Sequence, residues 1–407
     1  MKRMHARPTG AAAVAAVAVA VLAAGCGAPK GAGSAASTTS STTTTVKGPV
    51  DAVALRARLT GLLQGSVYLT GFATGAVLNG TDPGPATTAL ETNSTRLQDT
   101  LTGVIGPALG AQFGTLWRQH IALFVTYARA KAAADQAGTA KTLADLDQVR
   151  ANAADLLDRA THGQLAKEAM SDELKPHVSS VVSAINAQAT KDPAVSDKLK
   201  TAADRMPSTA DVLAAGLSKT RPDLVSGDSM SAAASLRASL TAAFETHVYL
   251  AGLASGTVLA GRDPKPAVAT LDKSSAALGD AVGSVYGDAR AKQFLALWRA
   301  QTGYLIDDAA AHAARDAGKV KQAGANLDRF AADLGSVLAD ATHDGLFSQA
   351  AAADLVDHVS TMESVVDAQA GNDPSQYAKL ELAADHIQGL ADSLASAIVT
   401  QFSSTFS

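Results

Sequence analysis

Five histidines that fall on or beside the apolar faces of predicted helices are the residues best suited to chemistry. They are His120 and His177 in the first half of the chain, and His247, His358 and His386 in the second. Imidazole suits Zn, Cu, Fe and Ni, and helix bundles form metal sites from inward side chains on facing helices. Because three histidines can hold a metal and leave one position open, the pattern predicts a candidate transition-metal site.

An internal duplication relates these histidines to one another. Residues from about Leu55 to Leu217 recur from Leu236 to Ile398 at a constant spacing of 181 residues, without a gap. The segments LRARLT, SVYLTG, LWR and PHVSS are repeated as LRASLT, HVYLAG, LWR and DHVST. The chain therefore contains two copies of one unit, and its function can be inferred by comparing which residues the two copies share.

Four equivalent positions on four predicted helices carry a histidine in at least one copy. The first repeat has Ser66, His120, His177 and Arg205, and the second has His247, Gln301, His358 and His386. Because the cationic Arg205 opposes a bound dication, the second repeat is the better candidate. Its His247, His358 and His386 are the predicted ligands, and His120 and His177 are the degenerate equivalents.

Other side chains near these histidines have roles in the same hypothesis. Met362 lies one helical turn after His358 and is a candidate soft ligand if the metal is copper. Asp354 and Glu173, each four residues before the histidine of the fifth helix, are candidates to orient that imidazole from outside the ligand set.

An alternative without a metal stays open. A histidine at the edge of an apolar stripe is often partly solvated or hydrogen-bonded locally, and an aspartate four residues before a histidine is an ordinary helix-surface pair. His162 and His343, both in ATH segments, are predicted to lie at helix ends, where the helix dipole favours them. His312 stands alone on a polar face and receives no role.

The elements that must position these residues are predicted to be helices. The chain is 47% hydrophobic but only 4% aromatic, and its abundant alanine favours helix over strand. Apolar residues recur at helical spacing in six segments of the first repeat, 51–79, 83–105, 108–137, 139–160, 164–190 and 194–218. An Asp-Pro pair precedes the second and the sixth segment in both repeats, which is typical of a helix start. The fold class is therefore all-α, with two tandem bundles of about six helices each.

Individual residues refine this prediction. Gly71 and Gly75, matched by Gly252 and Gly256, would weaken the first helix unless another helix packs closely against them. Pro207, where the second repeat has a glutamine, should interrupt the sixth helix. The predicted repeats span 49–218 and 232–407, with a polar linker at 219–231.

The start of the chain has the features of an export signal. Residues 1–25 combine a basic beginning, an apolar run too short for an ordinary spanning helix, and small residues before the sole cysteine, Cys26. Residues 26–48 are rich in Gly, Ala, Ser and Thr, which predicts a flexible tether. A plain secreted protein is the alternative. With one cysteine, the chain can form neither an internal disulfide nor a multi-thiolate metal site.

Two resemblances extend these expectations. The segment LAAGC resembles the lipobox of bacterial lipoproteins, which implies a mature chain that begins at Cys26 with a diacylglyceryl group, fatty acyl chains such as palmitate, and a place on the outer face of the cell membrane. HVYLAG, LWRAQ, DHVS and ADHI resemble a family of exported bacterial helical-bundle proteins sometimes labelled copper amine oxidase-like. That label implies an Asn-Tyr cofactor precursor, and the chain contains no Asn-Tyr pair.

Several functions are disfavoured by composition and motifs. The formal net charge is −4 with scattered basic residues, which does not provide a nucleic-acid interface. The chain has no GxSxG, HExxH or Walker motif. The sequence therefore predicts a membrane-anchored, extracytoplasmic, non-enzymatic binding or scaffold module with an envelope protein as a candidate partner. Alternatives are a copper-like metal-binding protein and, third, a metalloenzyme.

Overall fold

The computed structural model describes residues 50–342 and 349–406, which belong to one compact unit, Pro49–Ser407. The predicted signal peptide, Cys26, the tether and His343 lie outside the described residues. Within them the all-α prediction is confirmed. The helices of the first repeat are α1 (Ala52–Leu78), α2 (Gly84–Ile105), α3 (Pro107–Ala132), α4 (Gln136–Ala160), α5 (Lys167–Ala189), α6 (Val195–Ala203) and α7 (Met206–Thr220).

The second repeat follows the same order with one difference. Its helices are α8 (Ala232–Leu259), α9 (Lys265–Tyr286), α10 (Asp288–Ala314), α11 (Ala317–Ala341), α12 (Gln349–Ala370), α13 (Gln376–Gln401) and the short α14 (Ser403–Phe406). Helix α13 is continuous where α6 and α7 are separate. The break lies at Asp204 and Arg205, two residues before Pro207, so the predicted interruption is confirmed and Arg205 precedes a helix instead of lying within one.

The four Asp-Pro pairs lie directly before helices as predicted, but each helix begins one or two residues after the proline instead of at it. In each pair the Asp Oδ1 accepts a hydrogen bond from the backbone N–H two residues further on, and the aspartates are Asp82, Asp192, Asp263 and Asp373. These bonds measure 2.8, 2.9, 3.0 and 2.8 Å. They satisfy N–H groups that a helix start leaves without an internal partner.

The paired glycines of the first helix in each repeat allow close packing. A Cβ atom at Gly71 would lie 2.5 Å from the side chain of Leu199 on α6, and one at Gly252 would lie 2.8 Å from Leu380 on α13. Both approaches are too short for a methyl group. The expectation that another helix packs closely against this face is therefore confirmed in both repeats.

The two repeats meet through equivalent residues of α1 and α8. Tyr68 and Tyr249, which correspond in the duplication, stack with ring centroids 5.2 Å apart and ring planes at 13°. Helix α2 packs against α13, and α6 packs against α9, so the second helix of each repeat contacts the sixth of the other. Because the same two surfaces are exchanged between the repeats, an approximate two-fold axis relates them, as in a symmetric dimer interface.

The predicted linker is packed against the first repeat. Strand β1 (Val50–Asp51) pairs in parallel with strand β2 (Val225–Ser226). Arg56 on α1 donates a hydrogen bond of 2.9 Å from Nη1 to the carbonyl oxygen of Ser229. No helix within 50–342 and 349–406 is long and apolar enough to cross a membrane.

Candidate functional site

A cleft of about 760 Å³ lies between the repeats, where α1 and α8 end. We call it the inter-repeat cleft. Phe72 and Leu253 line it from the last two turns of α1 and α8, and Tyr377 lines it from the first turn of α13. The rings of Phe72 and Tyr377 contact each other at 5.3 Å between centroids, across the boundary between the repeats. Both repeats therefore build one concavity.

Two equivalent glutamines support the helices that form this cleft. Each donates a hydrogen bond to a glycine carbonyl of the first helix and accepts one from a hydroxyl one turn further on. The bonded groups are Gln188 with Gly71 and Thr74, at 2.7 and 2.8 Å, and Gln369 with Gly252 and Ser255, at 2.8 and 2.7 Å. Because the oxygen and the nitrogen of each half-buried amide are both hydrogen-bonded, the two glutamines hold the walls of the cleft in position.

The charges of the inter-repeat cleft differ between the repeats. Lys191 and Arg262 are exposed cations in its lining, and their duplicates are the neutral Asn372 and Thr81. The carboxylates of Asp192 and Asp263 also line the cleft, but both accept hydrogen bonds from backbone N–H groups at helix starts. The cleft thus offers apolar surface together with two cations and two carboxylates, each carboxylate held by a hydrogen bond from the backbone.

The structure brings the two histidines of the first repeat together. His120 on α3 and His177 on α5 are buried, and their Nε2 atoms are 3.4 Å apart. Burial, together with the neighbouring His177, lowers the pKa of His120 to about 3, and burial with the charge of Arg205 lowers that of His177 to about 4. Both rings are therefore neutral at pH 7, and each can offer a nitrogen lone pair.

The second repeat arranges its histidines differently. His247 and His358 are buried, with ring centroids 5.8 Å apart. Gln301, the duplicate of His120, donates a hydrogen bond of 2.8 Å from Nε2 to Nε2 of His358. Neither ring nitrogen of His247 makes a hydrogen bond, and its ring packs on Trp298 at 4.6 Å. Burial lowers the pKa of both histidines, that of His358 to about 3.

The remaining predicted ligands lie further from this pair. His386 is half-buried on α13, and its charge contributes to the lowered pKa of His358. Met362 is buried in the hydrophobic core of the second repeat. In the part of the chain that the structure describes, no three His, Cys, Asp or Glu side chains already surround a common metal position.

The two carboxylates that were predicted to orient imidazoles contact hydroxyl groups instead. Asp354 Oδ2 accepts a hydrogen bond of 3.1 Å from Ser393, and Glu173 Oε1 accepts one of 3.0 Å from Thr209. The Nδ1 atoms of His177 and His358 are buried without a hydrogen-bond partner. The spacing of four residues places each carboxylate one helical turn from its histidine. The carboxylate nevertheless accepts its hydrogen bond from a hydroxyl group on the neighbouring helix.

A cluster of ionisable groups at the repeat junction was missed from the sequence. Glu245 on α8 and Glu381 on α13 are buried, and each has one carboxyl oxygen without a hydrogen-bond partner. Gln388 Nε2 donates a hydrogen bond of 2.6 Å to the other oxygen of Glu245, and nearby Asp385 pairs with Arg96 of the first repeat. Burial raises the pKa of Glu245 well above its usual range and that of Glu381 to about 8.

A second missed group surrounds His312, which the sequence left without a role. It lies between two aspartates from different helices of the second repeat, Asp308 and Asp367. Repeated i, i+4 pairs of ionisable residues on α10 and α12 were the available signal, namely Asp308 with His312 and Glu363 with Asp367.

Comparison of the chain with protein-family models, with curated proteins and with solved structures found no match. The arguments about function therefore depend on the geometry of these sites.

Proposed function

We propose that the chain is a lipid-anchored, extracytoplasmic, non-enzymatic binding protein whose ligand occupies the inter-repeat cleft. The single observation that carries this proposal is the cleft itself, with its volume of about 760 Å³ and walls from both repeats. Small-molecule sites are typically concavities of about 300–1,000 Å³, lined mostly by apolar side chains with a few polar groups. The duplication supports the proposal because it creates the concavity only when both copies are present.

The chemistry of the lining favours a small ligand with an apolar body. Phe72, Leu253 and Tyr377 provide apolar and aromatic contact, while Lys191 and Arg262 suit a polar or anionic end. The proposed membrane anchor at Cys26 would keep such a ligand at the cell surface. The anchor depends on the lipobox resemblance.

An apolar anionic dye tests the cleft directly. Anilinonaphthalene sulfonate should bind the wild-type protein with a fluorescence increase. Ala260→Trp, which fills the cleft from an exposed wall position, should weaken this binding by about tenfold, or about 1.4 kcal/mol. The matched control, Ala332→Trp, adds the same ring to an exposed position of α11 outside the cleft and should bind the dye like the wild type. Equal binding by all three proteins would contradict the proposal.

Cell fractionation tests the anchor separately. The wild-type chain should partition with the membrane and into a detergent phase, and Cys26→Ser should lose both properties because the sulfur that accepts the lipid is gone. After cells are grown with labelled palmitate, the label should be found on the wild-type protein and not on the Cys26→Ser variant. A wild-type chain recovered without lipid would refute the anchor and leave the cleft unaffected.

One observation favours a second function, binding of a transition metal by buried histidines. Two nitrogen ligands about 2.0–2.1 Å from a metal at a tetrahedral angle lie about 3.3–3.4 Å apart. The Nε2 atoms of His120 and His177 are 3.4 Å apart, so this pair has ligand spacing although the second repeat was the predicted site. Metal analysis of purified wild-type protein and of His177→Ala tests it. Stoichiometric metal that the substitution removes would support the function, and equal metal content would oppose it.

A further inference from the structure

One carboxyl group of the second repeat is buried where that repeat contacts the first. Glu381 on α13 is 5% exposed, and its Oε1 atom makes no hydrogen bond. Together with residues of α1, α2 and α8 it lines a cavity of about 10 Å³, which has room for about one water molecule. An ionised carboxylate in this position loses its hydration without gaining a full set of partners, so burial favours the protonated form.

The first repeat closes this site from the opposite side. Arg96 on α2 forms an ion pair with Asp385 on α13, which lies one turn after Glu381. Gly61 on α1 packs against Gln388 on α13, since a Cβ atom at Gly61 would lie 2.6 Å from Gln388 Nε2. Little solvent can therefore reach Glu381 while α13 stays in contact with α1 and α2.

Several helices contribute charged and titratable groups to this junction. They are Arg96 on α2, Glu245 and Tyr249 on α8, Asp385 on α13, Tyr68 on α1, and Asp204 between α6 and α7. Burial raises the pKa of Glu381 to about 8, while Arg96 acts against this shift and Asp385 adds to it. Because Arg96 is already paired with Asp385, it does not offset the burial of Glu381.

The related position in the first repeat is filled differently. The duplicate of Glu381 is Lys200, and the duplicate of Asp385 is Asp204. Lys200 and Asp204 form an ion pair of 2.6 Å one helical turn apart. A lysine is therefore compatible with this fold position, and packing does not require a buried carboxyl there. In the second repeat the exchange leaves Asp385 to pair with Arg96 across the junction and leaves Glu381 without a cation of its own.

We propose that Glu381 is a proton-dependent latch between the repeats, which keeps α13 packed against α1 and α2 when protonated and favours an open junction when ionised. Ionisation places an unhydrated anion near Asp385, and separation of α13 from the first repeat returns it to water. A carboxyl whose folded-state pKa is raised contributes stability that is complete below about pH 4.5 and is lost as the pH rises through about 8. The junction is therefore closed in acidic surroundings and opens more often in alkaline ones. This device does not depend on the function proposed for the inter-repeat cleft.

A thiol at the junction measures how often the latch opens. Ala384 on α13 is 3% exposed and lines the same cavity as Glu381, so a cysteine at this position is protected while the repeats stay in contact. The full chain with Cys26→Ser and Ala384→Cys is treated with a thiol reagent at pH 5.5 and at pH 8.5, and each rate is divided by that of a free thiol at the same pH. This corrected rate should rise by about 100-fold, because each pH unit between the open-state and closed-state pKa values changes the opening equilibrium by about tenfold.

Substitution of Glu381 tests the cause of the rise. Glu381→Gln keeps the size of the side chain but cannot ionise, so the chain with Ala384→Cys should then retain about a tenth of the rise or less. Glu381→Lys installs the residue that the first repeat has at this position and should also remove most of the rise. It remains informative if Glu381→Gln does not fold, and circular dichroism should show native helix content in each variant.

A second thiol position separates local opening from unfolding of the whole chain. Ala331→Cys places the same thiol at a buried position of α11, 5% exposed and away from the junction. It should react at least about tenfold more slowly than Ala384→Cys at pH 8.5, because opening of the junction leaves the core of the second repeat folded. The proposal is overturned if the corrected rate at Ala384→Cys does not rise with pH, if Glu381→Gln shows the same rise, or if Ala331→Cys reacts equally fast.

Discussion

His120 and Gln301 occupy the same position in the two repeats, and exchanging them should change the pH dependence of stability in opposite directions. The imidazole of His120 has a pKa lowered to about 3 by burial and by His177, against about 6.5 in the unfolded chain. A group with a depressed folded-state pKa stabilises the folded state fully above pH 6.5. That contribution is lost progressively as the pH falls toward 3.

The magnitude follows from the width of this window. One pKa unit corresponds to about 1.36 kcal/mol, and pH 5 lies about 1.5 units below the unfolded-state pKa, so His120 should destabilise the fold by about 2 kcal/mol between pH 7.5 and pH 5. Other titrating groups are shared by wild type and variant, so they cancel in the difference. His120→Gln should therefore gain about 2 kcal/mol relative to wild type over this interval.

Urea unfolding followed by circular dichroism at pH 7.5, 6.5, 5.5 and 5 measures this difference. The reciprocal variant, Gln301→His, adds a histidine at a fully buried position and should lose stability relative to wild type as the pH falls. The reasoning is refuted if the free energy of unfolding of His120→Gln, relative to wild type, does not change with pH.

Three further predictions concern the junction and the core. Glu381→Gln should gain stability relative to wild type as the pH rises from about 4.5 to 8, because a carboxyl with a raised folded-state pKa loses its stabilising contribution over that range, and urea unfolding measures it. Gly252→Leu should cost about 1–3 kcal/mol by clashing with Leu380, whereas Gly303→Ala, which meets open space, should be neutral or stabilising in the same denaturation assay. Trp298→Ala should lower the unfolding free energy by about 3–5 kcal/mol because this side chain is fully buried, and the half-buried Trp117→Ala should cost less.

The sequence predicted the helices well because their signals are local. The Asp-Pro starts, the apolar periodicity and the break before Pro207 depend on residues within a few positions of each other. The duplication repeats the first two of these signals, and Pro207 occurs in the first repeat alone. The close approach at Gly71 and Gly252 was also predictable, since a glycine conserved between the copies inside a helix has a packing reason.

The sites were harder to predict because they depend on which helices become neighbours. Periodicity assigns a histidine to a helix face, but it does not say which side chain of the neighbouring helix that histidine will contact. In the first repeat His120 contacts His177, and in the second repeat Gln301 contacts His358. The inter-repeat cleft requires the Tyr68–Tyr249 junction, which no local pattern indicates. His312 appeared isolated because its partner Asp367 is 55 residues away along the chain.

Native mass spectrometry of the protein extracted from its own membranes tests the central claim most directly. Wild-type protein should carry a small molecule in addition to the lipid on Cys26, and Ala260→Trp should carry the lipid alone, because its indole ring fills the inter-repeat cleft. Ala332→Trp should retain the small molecule. A wild-type protein without any bound molecule, or one that Ala260→Trp binds equally well, would contradict the account.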